Sequence, residues 1–215
     1  MGAAEEDWQA MDIERPQHQV TLSDYYVGET EVTQELWETI MGYNPSKSFK
    51  GGDYPVEYVD WNDCQEFIAQ LNELTEGRRP DGRVFRLPTE AEWEFAARGG
   101  NKSKRYLFSG GELCQEIAWF NKNCIHTKKV KTKKANELGL YDMNGNVAEW
   151  CHDWWSEYKT QKETNPQGPS DGGYHVYRGG CWALSEDCLR NTYRNIIIPF
   201  NGDYHNQFTG FRLAL

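Results

Sequence analysis

An α+β fold with few helices, a short and mainly antiparallel sheet and many loops is what this sequence predicts. Two amphipathic helical patterns stand early in the chain, strand patterns are short and lie towards its ends, and the second half alternates tryptophans with turn formers and no sustained period. Aromatics make up 14% of the chain, with nine Trp and twenty Gly, and mean hydropathy is −0.83. Such a composition fits large rings buried beneath long polar loops. A chain of 215 residues suffices for one large core, and no Pro- or Ser-rich linker or fixed-period repeat divides it, so residues 1–215 read as a single domain.

The elements follow in order. Gln19 to Leu22 and Tyr25 to Val27 alternate and carry Val, Thr and Tyr, as short strands do. Thr33 caps a first helix with Leu36, Trp37, Ile40 and Met41 on one face, and Gly42 ends it. Asp60 caps a second helix carrying Cys64, Phe67, Ile68, Leu71 and Leu74 at helical spacing, stopped near Gly77. Thr89 and Glu92 have capping-box spacing at the start of a third, which ends before Gly99-Gly100. Strands are expected at His175 to Arg178 and at Phe211 to Leu215.

Charge and cysteine usage exclude some functions. A net charge of −10 disfavours a polyanion partner, and the single basic run Lys128 to Lys134 reads as a solvated loop, so no nucleic-acid role is expected. No apolar run is long enough to span a bilayer, and no signal-peptide pattern follows Met1. The six Cys lack CxxC spacing, which argues against a zinc ribbon; Cys181 and Cys188 are near enough in sequence to bridge, although sequence does not choose among pairings. His175 and His205 have no neighbouring nucleophile in sequence, so neither marks an acid–base site.

Chemistry concentrates in two segments. The run Asn136 to Trp150 sets Asp142 and Glu149 among Gly and Asn residues that permit tight turns, an arrangement that suits a hard cation as readily as an ordinary Asx-rich turn. The last forty residues set Arg178-Gly179-Gly180-Cys181-Trp182 and Gly210-Phe211-Arg212-Leu213-Ala214-Leu215 around an irregular, aromatic-rich stretch, the composition of a binding surface.

The phrases Arg86 to Gly100, Gly139 to Trp150, Arg178 to Trp182 and Gly210 to Arg212, with His18 to Leu22 and Glu31 to Thr33 earlier, together resemble the formylglycine-generating enzyme (sulfatase-modifying factor) family over almost the whole chain. The resemblance implies a variant of the C-type lectin fold in which amino- and carboxy-terminal strands lie together. It implies structural calcium held by the Asp142 and Glu149 side chains and the Gly145 and Val147 carbonyls. The family's other calcium site falls between Trp119 and Ala135, where this chain has a short lysine-rich loop, and is not carried over. Trp61-Asn62-Asp63 mimics a lectin sugar-binding triplet, yet stands at a helix start where Asp63 completes a cap.

Catalytic members oxidise a substrate cysteine with copper held by two thiolates, at the third and eighth residues after the one that follows Arg-Gly-Gly. Those positions here are Leu184 and Leu189, so no copper is expected. The alternative, a copper oxidase of sulfatase cysteines, requires a displaced site at Cys181 and Cys188. Another branch, diversified by retroelements in bacteria and phages, displays a variable carboxy-terminal surface and shares the Arg-Gly-Gly-x-Trp start and Gly-Phe-Arg finish. Its adenine-directed mutagenesis of Asn codons does not produce Lys, Glu, Gln, Met or Trp. Residues 183–209 hold no Lys or Met, leaving Glu186 and Gln207 as fixed positions.

The expectation is therefore a non-catalytic binder of a protein or cell-surface ligand, displayed extracellularly or on a bacterial surface. Its contacts are expected from Trp182, Ala183, Leu184, Ser185 and Asn191 at one end and from Ile196, Ile198 and Phe200 in the middle. Asn201, Asp203, Tyr204, His205, Asn206 and Phe208 complete the set, with Tyr204, His205 and Asn206 exposed.

Overall fold

The computed structural model describes residues 1–194 and 205–215. Local capping chemistry sets the three principal helices. Helix α1 (Gln34–Met41) begins where Thr33 Oγ1 accepts the Leu36 N–H at 3.3 Å, and ends at Gly42. Helix α2 (Trp61–Leu74) opens on a reciprocal box in which Asp63 N donates to Asp60 Oδ1 at 2.8 Å and Asp60 N donates to Asp63 Oδ2 at 2.9 Å. Asp63 is thus a capping residue, as its position predicted. Helix α3 (Glu90–Ala97) carries the Thr89/Glu92 box, and a short α4 (Cys114–Ile117) that the sequence did not announce follows.

The core gathers α1 and α2 against the carboxy-terminal phrase. Trp37 stacks on Phe67 at 5.1 Å between ring centroids, and Phe211 meets both edge-on at 6.1 and 5.4 Å. All three rings are fully buried, as are Gly210 and Arg212, so the phrase Gly210-Phe211-Arg212 belongs to the interior. Two further clusters sit around Trp93 with Met143 and Val176, and around Phe108 with Phe120 and Leu189.

Strand β1 (Val20–Thr21) pairs in parallel with β3 (Glu163–Thr164). The second sheet centres on β2 (Ala148–Trp154), flanked by β4 (His175–Arg178) antiparallel and β5 (Thr209–Gly210) parallel. The sheets are therefore mixed, a correction to the mainly antiparallel sheet expected, because β5 returns beside β2 after the carboxy-terminal excursion. Phe211 to Leu215 forms no strand either. Gly28 N donates to Leu213 O, Tyr26 N and Leu215 N exchange bonds with each other's carbonyls, and Arg86 N donates to Ala214 O. The terminal segments do lie together, through isolated antiparallel bridges of Ala214 with Val27 and with Arg86. Among the described residues no helix is long and apolar enough to cross a membrane.

Candidate functional site

Helix α3 is buried nearly all round, and its acids must therefore be paired. Glu90, Glu94 and Glu92 are each met by arginine: Arg178 donates to Glu90 at 3.0 Å and to Glu94 at 2.7 Å, Arg194 grips Glu90 at 2.7 and 2.9 Å, and Arg86 grips Glu92 at 2.6 and 2.7 Å. Burial by itself raises the Glu94 carboxyl, yet Arg98, Arg178 and the Gly2 N–H outweigh it and bring it down to about 2. A second buried pair, Arg190 with Glu14 at 2.6 and 2.7 Å, joins residues 176 apart in sequence. Arg178, Arg190 and Arg194 thus clamp both ends of the stretch from Arg178 to Arg194 to the interior.

Gly180 shows why the Arg-Gly-Gly turn tolerates no side chain. At φ 66° a Cβ would lie 2.5 Å from Leu189 Cδ2 and 2.6 Å from the Cys188 carbonyl. The chain then emerges: Trp182, Ala183 and Leu184 are half-buried and Ser185 is exposed. Trp182 Nε1 donates to Gln207 O at 3.0 Å and its ring lies 5.4 Å from that of Phe208, which is also half-buried. Two sequence-distant ends of the expected surface are thereby brought together.

Two expected contact residues are corrected. Asn191 is buried, donating to Tyr106 O at 3.2 Å and accepting from Asn144, so it ties loops together and offers nothing at the surface. Asn206 is buried too, its Oδ1 accepting the Phe208 N–H at 2.7 Å while its carbonyl takes the Tyr58 N–H. His205 is exposed as expected. Ile196, Ile198, Phe200, Asn201, Asp203 and Tyr204 lie outside the described residues.

Leu184 and Leu189, which the family resemblance sets opposite the copper thiolates, are both packed. Leu189 is fully buried against Phe108 and Phe120, and Leu184 packs on the main core. All six cysteines are free thiols. Cys181 is pushed up to about 11, chiefly by burial, and carries little thiolate at neutral pH.

In the acidic turn, Gly145 takes φ 80° because a Cβ there would lie 2.3 Å from the Trp119 carbonyl. Asp142 is buried; its Oδ2 accepts the Lys131 N–H at 2.7 Å and, among the described residues, its Oδ1 has no hydrogen-bond partner. Glu149 is engaged on both oxygens, by Arg212 at two distances of 2.6 Å and by Trp93 Nε1 at 2.7 Å. A third acid, missed from sequence, completes the group: Glu31 accepts from Val147 N at 3.1 Å and Asn146 Nδ2 at 3.0 Å. Burial raises Asp142 to about 6 and lifts Glu31 well above the carboxylate range, with Asp142 and Glu149 adding repulsion. Arg212 pairs directly with Glu149 alone, so Glu31 and Asp142 feel its charge only at a distance, and among the described residues one Asp142 oxygen is left without a hydrogen bond, a donor set in which a hard cation would find oxygen ligands.

Residues 1–215 match the sulfatase-modifying factor enzyme 1-like domain. The solved structure of Treponema denticola variable protein 1 superposes with a TM-score of 0.85 at 34% identity, covering 100% of this chain and 91% of that one. Chaperone protein LppX of Paenibacillus barcinonensis is 34% identical over 81% of this chain and 75% of its own length. The formylglycine-generating enzyme of Streptomyces coelicolor is 35% identical over 75% of this chain, which spans only 52% of that enzyme.

Proposed function

We propose that this chain, which belongs to the sulfatase-modifying factor (formylglycine-generating enzyme) family, is a non-catalytic ligand-binding protein whose carboxy-terminal surface takes a protein or cell-surface partner. The observation that carries the reading is Leu189: a fully buried leucine locked under Gly180 stands where catalytic relatives hold a copper thiolate. Similarity to the Treponema denticola variable protein over the whole chain supports the same view. The described part of the expected surface comprises Trp182, Ala183, Leu184, Ser185, His205 and Phe208. Half-buried rings beside small polar groups give contact area at low entropy cost.

Calcium is the structural partner in this reading. Asp142 and Glu31 would hold it with the Gly145 and Val147 carbonyls, and Glu149 would support it while paired to Arg212. Bound there, the ion supplies the positive charge that the three buried acids lack. Display on a bacterial surface or outside the cell follows from the likeness to variable proteins.

Capture by the immobilised chain tests the reading. Wild-type protein should retain a protein from surface extracts of cells, and Ser185→Arg or Tyr204→Ala should weaken retention at least tenfold with the melting temperature unchanged. Equal retention by both variants would remove this surface from consideration. The oxidase reading keeps one observation in its favour, the likeness to the Streptomyces coelicolor enzyme, and a peptide assay separates the two.

A further inference from the structure

At the rim of this surface, the first turn of α2 and the chain entering β5 bring together three metal-ligating side chains. His205 Nε2 lies 2.7 Å from Asp63 Oδ2, a residue 142 positions earlier, and 3.9 Å from Asp60 Oδ2. One donor atom from each of the three residues lies within 4.8 Å of the others. Tetrahedral zinc with bonds of about 2.0–2.1 Å sets its donors roughly 3.3 Å apart. The observed 2.7 and 3.9 Å straddle that spacing.

The helix cap does not account for the whole arrangement. Its reciprocal bonds use Asp60 Oδ1 and Asp63 Oδ2, and Asp63 Oδ2 also faces the imidazole, which arrives from a segment 142 residues away. Asp60 is only 5% exposed, and burial raises its carboxyl, with the Asp63 charge adding to the rise and His205 opposing it. Among the described residues no Lys or Arg forms an ion pair with either aspartate. Two carboxylates, one of them buried, therefore face a single imidazole, leaving a local deficit of positive charge even when His205 is protonated.

The imidazole is also held in place. Tyr58, at φ 68°, donates its N–H to the Asn206 carbonyl at 2.8 Å, and its ring stands 5.9 Å from that of His205. A borderline-soft nitrogen donor with two oxygen donors suits zinc, and such a set discriminates against calcium and magnesium, which prefer oxygen alone.

We propose that Asp60, Asp63 and His205 form a zinc site, with three protein ligands and the remaining position open to solvent. The exposed face of His205 provides the access. Zinc binding is independent of the ligand reading, since the metal alone is the probe and no partner is required.

Calorimetric titration of the full chain with zinc chloride, in buffer containing calcium to fill oxygen-only sites, tests this. One zinc per chain should bind, and His205→Ala and Asp63→Asn should each weaken binding at least tenfold. Asparagine at 63 keeps a carbonyl acceptor for the cap, so the fold remains; Asp60→Asn serves as a second variant of the same kind. Cobalt(II) in place of zinc should show ligand-field bands without thiolate charge transfer. An absence of binding, stoichiometric zinc that survives His205→Ala, or a cobalt–thiolate band placing the metal on cysteine would each overturn the proposal.

Discussion

Arg194 holds Glu90 through two hydrogen bonds of 2.7 and 2.9 Å with both side chains buried, and so fixes the chain at residue 194 to helix α3. The family's Arg-Gly-Gly phrase works from the other side of the same acid, through Arg178 at 3.0 Å.

Removing one partner of this pair leaves a buried charge short of its counter-ion. Arg194→Met is expected to destabilise the protein by about 3–5 kcal/mol, read from the urea midpoint. A cost below about 1 kcal/mol would show that Arg178 alone satisfies Glu90.

Leu189 is fully buried in the cluster around Phe108 and Phe120. Truncation to alanine should cost about 2–5 kcal/mol, because Phe108 and Phe120 cannot collapse onto the cavity. Exchange to cysteine tests the same packing with a smaller cavity, and a neutral result in both would mean that the position is not part of the core.

The Asp153 carboxyl gives the protein a defined pH response. It is raised to about 7, first by burial and then by the Glu90 charge, while its Oδ2 accepts the Glu90 N–H at 2.8 Å. The folded state therefore retains a proton that the unfolded chain releases near its ordinary value of 3.8. The stability contributed is complete below that value and is lost as pH rises through about 7. His175, lowered to about 4 mainly by burial, acts oppositely: its contribution is present above 6.5 and is lost as pH falls. Asp153→Asn keeps the acceptor and His175 unchanged, so the difference in unfolding free energy between wild type and variant should shift in the variant's favour from pH 4 to 7. A pH-independent difference would contradict the assignment.

Chelation and substitution should have opposite consequences at the acidic turn. A chelator is expected to lower the melting temperature of the wild type. Asp142→Asn, which removes one of three crowded buried carboxylates, should raise the melting temperature of the chelated protein and abolish its response to calcium. A melting temperature indifferent to chelator in the wild type would remove calcium from the account.

What the sequence disclosed was local. Thr33, Asp60 and Thr89 announce helices because a cap and its first turn lie within four residues of each other. Strand β2 went unannounced because its acids and tryptophans look like loop chemistry until Arg212, 63 residues away, is seen to neutralise Glu149. Glu31 entered only as part of a family phrase, since nothing adjacent marks it as a neighbour of Asn146 and Val147, more than a hundred residues on. Asn191 and Asn206 read as adaptable surface donors for the same reason: the backbone groups that occupy them include partners the linear order does not reveal.

Whether chemistry has left this frame is tested most directly by incubating the full chain with copper(I), oxygen and a Cys-x-Pro-x-Arg peptide and following the peptide's mass. With Leu184 and Leu189 in the thiolate positions, the cysteine should remain unconverted to formylglycine. Copper-dependent conversion that disappears on changing Cys181 or Cys188 would contradict the account.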